Sequence, residues 1–224
     1  MRPNPDNEKK KVFIVDDHPL VREWLANLIN QQSDLKVCGE AGSASEGLKL
    51  MAKARPHLAV VDISMEGGSG LELIKNINLS SSEVAILVLS MHDEMVYAER
   101  ALRAGARGYI MKRKATRDVI QAIRRVLKGN IYVSEKIALT MAEKFVEGKM
   151  PVKGSPVALL SDRELEVFNL IGRGLSTRQI AEEMQISFRT VQSFSARIKE
   201  KLGLAHATAL MREAVLWHDS QNLK

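Results

Sequence analysis

Residues 58–63 read LAVVDI, a short apolar run that ends beside a carboxylate. The run is too short for a typical helix and nearly all apolar, which is typical of a parallel strand covered on both faces. Four further runs with an apolar middle occur in the first part of the chain: KVFIV (11–15), LKVCGE (35–40), VAILVL (84–89) and GYIM (108–111). We therefore predict five buried β-strands.

Amphipathic helices are predicted between and after these strands, because apolar residues recur there every three or four positions. The predicted helices cover 20–30, 44–54, 71–77, 94–104 and 116–127. Strict alternation of strand and helix predicts an α/β fold with a five-stranded, doubly wound parallel sheet. In such a sheet, ligands bind beyond the carboxyl ends of the strands.

The pattern changes after residue 127. A helix predicted over 134–146 is followed by EGKMPVKGSPV (147–157), in which Pro and Gly among polar residues indicate a flexible joint. Only helical patterns follow, over 162–171, 177–184, 188–202 and 207–217. We predict a first domain over 10–130, a linker helix and flexible linker over 131–157, and a small all-α domain over 158–220.

The composition excludes one class of protein and limits others. Of the 224 residues, 45% are hydrophobic, and no apolar run reaches the roughly 18 residues that span a bilayer, which excludes an integral membrane protein. Segment 1–11 lacks the apolar block of a secretory signal and Cys38 is the only cysteine, so we expect a cytoplasmic protein. The net charge of +6 is spread thinly along the chain, so charge alone supports nucleic-acid binding only weakly.

Polar side chains stand where the predicted strands end: Asp16 and Asp17, Asp62, Ser90, and Lys112. The carboxyl ends of parallel strands share one edge of a sheet, so these groups converge on one crevice. Three carboxylates repel one another unless a cation lies among them, and oxygen ligands of this kind suit Mg²⁺. Either Asp16 or Asp17 alone could equally be a turn or capping residue.

Four segments resemble the signatures of a two-component receiver domain, which has a flavodoxin-like fold: VDDHP (15–19), VDISM (61–65), LSM (89–91) and AGARGYIMK (104–112). The resemblance implies that Asp62 accepts a phosphoryl group from a sensor histidine kinase or a small phosphodonor. It also implies that Asp16, Asp17 and Asp62 hold Mg²⁺ with the main-chain carbonyl of Ser64, and that Lys112 binds a phosphoryl oxygen. Self-phosphorylation on Asp62 would then be the chain's only reaction.

The same resemblance implies a switch. The Ser90 hydroxyl would move toward the phosphorylated Asp62, and Tyr109 would fill the space that Ser90 leaves. This exchange would alter the face formed by the fourth helix, fifth strand and fifth helix; the alternative is that Tyr109 is a plain core residue. The loop MEGGSG (65–70) departs from the family, which commonly has Pro after Met65, so we expect a looser loop with an added negative charge from Glu66.

The spacing in the second domain predicts a helix-turn-helix, with helix 177–184, the turn QIS (185–187) and a longer helix over 188–202. On the longer helix a buried stripe is predicted for Val191, Phe194, Ile198 and Leu202. The opposite face carries Arg189, Gln192, Ser193, Ala196 and Glu200, flanked by Arg197, Lys199 and Lys201. This composition suits a helix in the DNA major groove, and the alternative is the solvated face of a four-helix packing module.

The segments LSDRELEV (160–167), GLSTRQIA (174–181), SFRTVQ (187–192) and KLG (201–203) resemble the LuxR-type helix-turn-helix. A receiver followed by this module is the layout of the NarL/FixJ family, which implies a transcription regulator controlled by phosphorylation that binds double-stranded DNA. By position, Gln192, Ser193 and Ala196 would face bases, and Thr190, Arg197 and Lys201 would approach phosphates. Gln192 stands where the family often has a basic residue and Phe194 where it often has His, so the preferred site is expected to differ.

We expect a homodimer when the protein is phosphorylated, because paired half-sites multiply the affinity of a small module. The stripe Leu210, Ala214 and Trp217 on the last helix is the predicted interface. Two other functions remain open: an atypical regulator that acts through a protein partner without phosphate, and a Mg²⁺-dependent phosphohydrolase of the haloacid dehalogenase type. The second requires an Asp-x-Asp run after the first strand, which DDHP (16–19) does not provide. We expect His18 only to begin the first helix.

Overall fold

The structure is a computed structural model that describes residues 9–65, 68–80, 83–147 and 156–222. The chain divides into two compact units, Met1–Ser90 with Ala98–Glu135, and Met91–Tyr97 with Lys136–Lys224. Residues 148–155, which make up most of the predicted flexible joint, lie outside the described part. The proposed boundaries at 130 and 158 remain predictions.

A five-stranded parallel sheet forms the centre of the first unit. Its strands are β1 (Lys10–Val15), β2 (Leu35–Ala41), β3 (Leu58–Val61), β6 (Ala85–Ser90) and β7 (Gly108–Met111), in the order β2-β1-β3-β6-β7. The helices between and after them are α1 (Pro19–Asn30), α2 (Ala44–Ala54), α3 (Gly70–Ser80), α4 (Glu94–Ala104) and α5 (Lys112–Leu127). The predicted fold class, a doubly wound parallel sheet, is confirmed.

One face of the sheet packs against α1 and α5. Alternate strand residues such as Val12, Ile14, Leu58 and Val60 form one buried cluster with α1 and α5 side chains, because successive residues of a strand point to opposite faces. On the other face, α2 comes close to β1 through a glycine. A Cβ atom on Gly47 would lie 3.1 Å from Val15 Cγ2, so Gly47 allows this approach. Both faces are therefore covered, as the apolar strands predict.

The structure also contains features that periodicity did not predict. Two short strands, β4 (Ser64–Met65) and β5 (Gly68–Ser69), pair antiparallel directly after β3. Helix α5 begins at Lys112 and not at residue 116, because its first turn is polar and gives no apolar repeat. Beyond α5, Tyr132 pairs with β7: the Tyr109 N–H donates to the Tyr132 carbonyl at 2.8 Å.

The second unit is helical. After α6 (Glu135–Glu147) come a short 3₁₀ helix (Pro156–Leu159), α7 (Asp162–Gly172), α8 (Thr177–Glu183), α9 (Phe188–Leu202) and α10 (Ala207–Asn222). Serine caps begin three of these helices: Ser161 and Ser176 form capping boxes, and the Ser187 hydroxyl accepts from the Thr190 N–H. None of the described helices is long and apolar enough to cross a membrane.

Close packing of α7 and α10 completes the core of the second unit. A Cβ atom on Gly172 would lie 2.5 Å from the Ala214 carbonyl oxygen, so only glycine permits this approach. Phe168 lies against Trp217, with ring centroids 5.6 Å apart. The turn between α8 and α9 contains Gln185 at φ 54°, a left-handed conformation that turns the chain sharply into α9.

Candidate functional site

The carboxyl edge of the sheet brings two acids and one ammonium group into direct contact. Asp16 follows β1, Asp62 follows β3, and Lys112 follows β7. Lys112 Nζ lies 2.6 Å from Asp16 Oδ2 and 2.7 Å from Asp62 Oδ2. Asp16 and Asp62 are each only 2% exposed. The convergence that the strand ends predict is present, and Lys112 is shared by two buried carboxylates.

The main chain fixes Asp62 in this position. Its N–H donates to the Val15 carbonyl at 2.8 Å, and its Oδ1 accepts from the Ser64 N–H at 3.0 Å. Gly70, the first residue of α3, lies directly against it, and an added Cβ would overlap the Asp62 carbonyl oxygen. The carboxylate is thus held by the loop and by Lys112 together.

Burial changes the proton affinity of this pair of groups. Burial raises the pKa of Asp62, Lys112 and the Ser64 N–H lower it, the charge of Asp16 raises it, and the net result is a pKa of about 6. For Lys112, burial lowers the pKa, but the attraction of Asp62 and Asp16 outweighs burial and leaves the pKa above its ordinary value. Lys112 therefore stays charged while the acidity of Asp62 is reduced.

Asp17 and His18 complete the pocket on the side away from Lys112. His18 Nδ1 lies 2.7 Å from Asp17 Oδ1 and 3.2 Å from Asp16 Oδ1. The His18 N–H donates to Asp16 Oδ1 at 2.9 Å, and His18 is also the residue that precedes the first turn of α1. The expected role at the helix start is present, but the contact of the imidazole with the acids was missed. The signal was its position directly after the acid pair.

A divalent cation fits this arrangement. Asp16, Asp17, His18 and Asp62 each offer a ligand atom, and these atoms all lie within 4.8 Å of one another. Carboxylate oxygens are the ligands that Mg²⁺ prefers, and an ion here would relieve the repulsion among three acids. The donor set therefore matches the predicted cofactor.

The other predicted residues of this domain lie around the pocket or beneath it. Ser90 ends β6, is fully buried, and stands in register with Met111, the neighbour of Lys112. Tyr109 is 1% exposed and lies within β7, opposite Val88. The Ser64 hydroxyl is buried and has no hydrogen-bond partner in the described part of the chain. Glu66, which was expected to add charge to the loop, lies outside the described residues.

Helix α9 presents most of the predicted DNA-contact residues on its exposed side. Arg189, Gln192, Ser193, Ala196 and Arg197 are exposed, while Val191 and Ile198 are buried and Phe194 is half-buried. The Ser193 hydroxyl donates to the Arg189 carbonyl at 3.0 Å, and the Thr190 hydroxyl lies 2.7 Å from that of Ser187. Lys199 is half-buried, at the margin of this surface.

Lys201 has a partner within its own unit. Its Nζ donates at 2.6 Å to Oε2 of Glu164, a side chain that is only 4% exposed. The same oxygen accepts from the Ser161 N–H at the start of α7. Burial raises the pKa of the Glu164 carboxyl, but Lys201 and Ser161 together leave the pKa below its ordinary value. Lys201 thus ties α9 to α7, and the prediction that it approaches phosphates stays a prediction.

The stripe of α10 that was predicted to meet a second copy is buried within its own unit, and the choice of α10 as the dimer interface stays a prediction. Leu210, Ala214 and Trp217 are 4%, 0% and 9% exposed, because this stripe packs into the core of the second unit. Helical spacing identifies an apolar stripe but does not tell whether it meets its own domain or a partner. Among the described side chains of α10, the large apolar ones that are exposed are Met211, Val215 and Leu216.

Two family models match the chain in succession. The model described as "Response regulator receiver domain" matches residues 12–124, and that described as "Bacterial regulatory proteins, luxR family" matches residues 158–214. A curated relative, the oxygen regulatory protein NreC of Staphylococcus haemolyticus, is 34% identical over 209 residues, which are 92% of this chain and 96% of that protein.

The chain is also similar to solved structures of response regulators. RcsB from Salmonella enterica serovar Typhimurium, bound to promoter P1flhDC in the presence of phosphomimetic BeF3⁻, is 26% identical. The match has a TM-score of 0.70 and covers 92% of this chain and 98% of that one. A LuxR-family two-component response regulator from Aurantimonas sp. is 33% identical, with a TM-score of 0.57, over 62% of this chain and 99% of that one.

The raised pKa of Asp62 predicts how stability depends on pH in metal-free protein. The folded state holds a proton on Asp62 up to about pH 6, whereas the ordinary carboxyl has a pKa of 3.8. The stability that comes from the protonated form is therefore complete below about pH 4 and lost as the pH rises through about 6. At pH 7 we expect Asp62→Asn to be more stable than the wild type by roughly 1 to 3 kcal/mol.

Urea unfolding in the presence of a chelator, followed across this pH range, measures the difference. The stability difference between Asp62→Asn and the wild type should vanish below about pH 4. Glu23→Gln, which changes an exposed acid on α1, should show no comparable pH dependence of its stability difference. A wild type that is more stable than Asp62→Asn at pH 7 would contradict the assignment.

Proposed function

Because the chain belongs to the family of two-component response regulators that join a receiver domain to a LuxR-type DNA-binding domain, we propose that Asp62 is its phosphoacceptor. The observation that carries the proposal is the pair of short contacts from Lys112 Nζ to Asp62 and Asp16 in a buried acidic pocket. Such a pocket has the charges and the rigidity that phosphoryl transfer requires.

The proposed reaction needs little from the protein besides position and charge. An Asp62 carboxylate oxygen attacks phosphorus, an O–P bond forms, and the bond from phosphorus to the donor atom breaks. The donor is a histidine nitrogen of a sensor kinase or the acyl oxygen of a small acyl phosphate. Lys112 is placed to bind a phosphoryl oxygen, since its ammonium group already lies at the carboxylate that receives the group. A cytoplasmic site of action is part of this proposal.

Asp16, Asp17, Asp62 and the Ser64 carbonyl are the proposed ligands of Mg²⁺. When bound, the ion supplies positive charge to the phosphoryl oxygens and to the attacking carboxylate. The residues of the chain provide the rest: the Ser64 N–H orients Asp62, and the Asp16 carboxylate holds Lys112 in place. The phosphohydrolase alternative needs its nucleophile in an Asp-x-Asp run after the first strand, whereas residues 16–19 read DDHP.

Ser90 and Tyr109 are the proposed relay from the pocket. Ser90 lies at the end of β6 and Tyr109 within β7, the two neighbouring strands next to β3. Both side chains are buried, so a shift of the Ser90 hydroxyl toward a phosphoryl oxygen changes the space available to the Tyr109 ring. The effect of phosphorylation would therefore be transmitted by side-chain packing, and the position of the Tyr109 ring would depend on whether Asp62 is phosphorylated.

The second unit is the proposed DNA-binding domain, with α9 in the major groove. Its exposed Gln192, Ser193 and Ala196 are small or polar side chains of the kind that contact base edges, and Gln pairs best with adenine N6 and N7. Arg189 and Arg197 are exposed, while Thr190 is half-buried at the start of α9. The proposed phosphate contacts are these three residues, Lys199 and Lys201.

We place the interface of the proposed dimer on the exposed face of α10. Met211 and Leu216 are 52% and 57% exposed, and Val215, at 36%, falls between them around the helix, so the three span the part of α10 opposite the buried stripe. Apolar side chains of this size gain stability when a second copy covers them. Two DNA-binding domains joined in this way would bind paired half-sites on DNA.

The phosphoacceptor assignment predicts one added phosphoryl group. Wild-type protein treated with acetyl phosphate and Mg²⁺ should gain the mass of a single group, and Asp62→Asn should gain none. Intact-protein mass spectrometry measures both, and Asp93→Asn, an acid near α4, is a matched control that should react like the wild type. An unmodified wild type, or an equal gain in Asp62→Asn, would favour the regulator that works without phosphate.

The α9 assignment predicts two different effects on DNA binding. Gln192→Ala should lose preference for adenine at one position of the site, at a cost of about 1 to 3 kcal/mol on the preferred sequence. Arg197→Ala should weaken binding to all sequences alike, because phosphate contacts carry no sequence information. Selection of genomic fragments followed by affinity measurement separates the two, with Lys53→Ala, an exposed basic residue of α2, as control. Unchanged sequence preference in Gln192→Ala would contradict the docking of α9.

The α10 assignment predicts that a charge at position 211 prevents association. Phosphorylated wild type should sediment as a dimer, and phosphorylated Met211→Asp as a monomer with an unchanged extent of phosphorylation. Leu139→Asp places the same charge on an exposed apolar residue of α6 and should leave the dimer intact. If Met211→Asp still dimerises, the interface lies elsewhere.

A further inference from the structure

The imidazole of His18 occupies a position that the proposed phosphoryl chemistry does not use. Lys112 Nζ contacts Oδ2 of both Asp16 and Asp62, so the ammonium group takes one side of the pocket. His18 Nδ1 lies on the other side, against Oδ1 of Asp16 and Oδ1 of Asp17. The pocket therefore consists of carboxylate oxygens, with the Lys112 ammonium group on one side and the His18 imidazole, the nitrogen that can bind a metal, on the other.

The distances from His18 to the acids are close to those between ligands of one small ion. Zinc binds nitrogen and carboxylate oxygen tetrahedrally at about 2.0 to 2.2 Å, so neighbouring ligands of one zinc ion lie about 3.3 to 3.6 Å apart. His18 Nδ1 is 2.7 Å from Asp17 Oδ1 and 3.2 Å from Asp16 Oδ1, so both pairs need only a small separation to reach that spacing. The ligand atoms of Asp16, Asp17, His18 and Asp62 all lie within 4.8 Å of one another, so small side-chain movements can close the set around one ion.

The main chain keeps the imidazole near the acids. The His18 N–H donates to Asp16 Oδ1 at 2.9 Å, and the His18 carbonyl accepts from the N–H groups of Val21 and Arg22 at 3.1 and 3.2 Å. Pro19 follows and restricts the backbone further. The ring itself is 61% exposed, which leaves room for an ion to enter and for a water ligand beside it.

The ligand types decide which ions benefit from His18. Mg²⁺ prefers oxygen ligands, whereas imidazole is a good ligand for zinc and neighbouring transition metals. We propose that His18 is a nitrogen ligand that enables this acidic pocket to bind Zn²⁺ as well as Mg²⁺, and that it sets the preference between them. The inference rests on the proposed metal site of Asp16, Asp17 and Asp62 and adds a selectivity-determining residue to it.

Other histidines provide no comparable site among the residues that the structure describes. His57 Nδ1 accepts from the Lys11 N–H at 2.9 Å, and His218 Nδ1 lies 3.1 Å from Asn169 Oδ1. In the described ranges, Asp16, Asp17, His18 and Asp62 are the one group of three or more metal-binding side chains. A zinc effect that depends on His18 is therefore specific to this pocket.

Calorimetric titration of the full-length protein with Zn²⁺, at one pH above the ordinary pKa of imidazole, tests the proposal. His18→Ala and His18→Asn should each bind Zn²⁺ at least about tenfold more weakly than the wild type. Both should bind Mg²⁺ within about twofold of wild type, because Mg²⁺ uses the oxygen ligands alone. His206→Ala, which removes another exposed histidine, should change neither affinity.

A second measurement identifies the ligand atom. In protein labelled with ¹⁵N-histidine, Zn²⁺ should shift the Nδ1 resonance of His18, and added Mg²⁺ should compete with Zn²⁺ and reverse the shift. Unchanged zinc affinity in both His18 variants, or an unshifted His18 resonance at zinc saturation, would overturn the inference. If Mg²⁺ neither binds nor competes, the proposed metal site itself fails, whereas normal Mg²⁺ binding with no effect of His18 defeats only the zinc proposal.

Discussion

One buried ammonium group shared by two buried carboxylates is the constraint on which the receiver depends. Lys112 Nζ lies within 2.7 Å of Asp62 and 2.6 Å of Asp16, and both acids are nearly inaccessible. Burial raises the pKa of Asp62 to about 6, so the negative charge there is held against a desolvation cost. A cation bound in this pocket would stabilise the buried acids, and a change of charge on Asp62 would alter the electrostatic energy of the whole pocket. A regulator that responds to one phosphoryl group requires such a dependence on the charge of Asp62.

The sheet determines what that charge can reach. Asp62 follows the central strand β3, and the next two strands carry Ser90 and Tyr109, both fully packed. Close packing transmits displacement, because a side chain that moves leaves a space that a neighbour can fill. The second unit carries nearly equal numbers of basic and acidic residues, so charge alone gives a single copy little affinity for DNA. Two DNA-binding domains held together would bind DNA with an affinity that a single α9 surface does not provide.

The sequence predicted the fold and the acidic pocket because both depend on residue types at strand ends. Apolar runs identified β3, and the acids and Lys112 that follow the strands converge as parallel topology requires. Periodicity could not identify features without an apolar repeat, such as the polar first turn of α5 and the short β4–β5 pair. It also assigned Leu210 and Trp217 to an interface, because a stripe that packs inward has the same spacing as one that faces a partner. The contacts of His18 with Asp17 and of Lys201 with Glu164 depend on side-chain directions in three dimensions.

The central claim is that charge on Asp62 controls DNA binding. The most direct measurement is fluorescence anisotropy with a genomic fragment selected by the phosphorylated protein, titrated before and after treatment with acetyl phosphate and Mg²⁺. We expect treatment to tighten binding by about tenfold or more in the wild type and to leave Asp62→Asn unchanged. Equal affinity of treated and untreated wild type, or an equal gain in Asp62→Asn, would contradict the account.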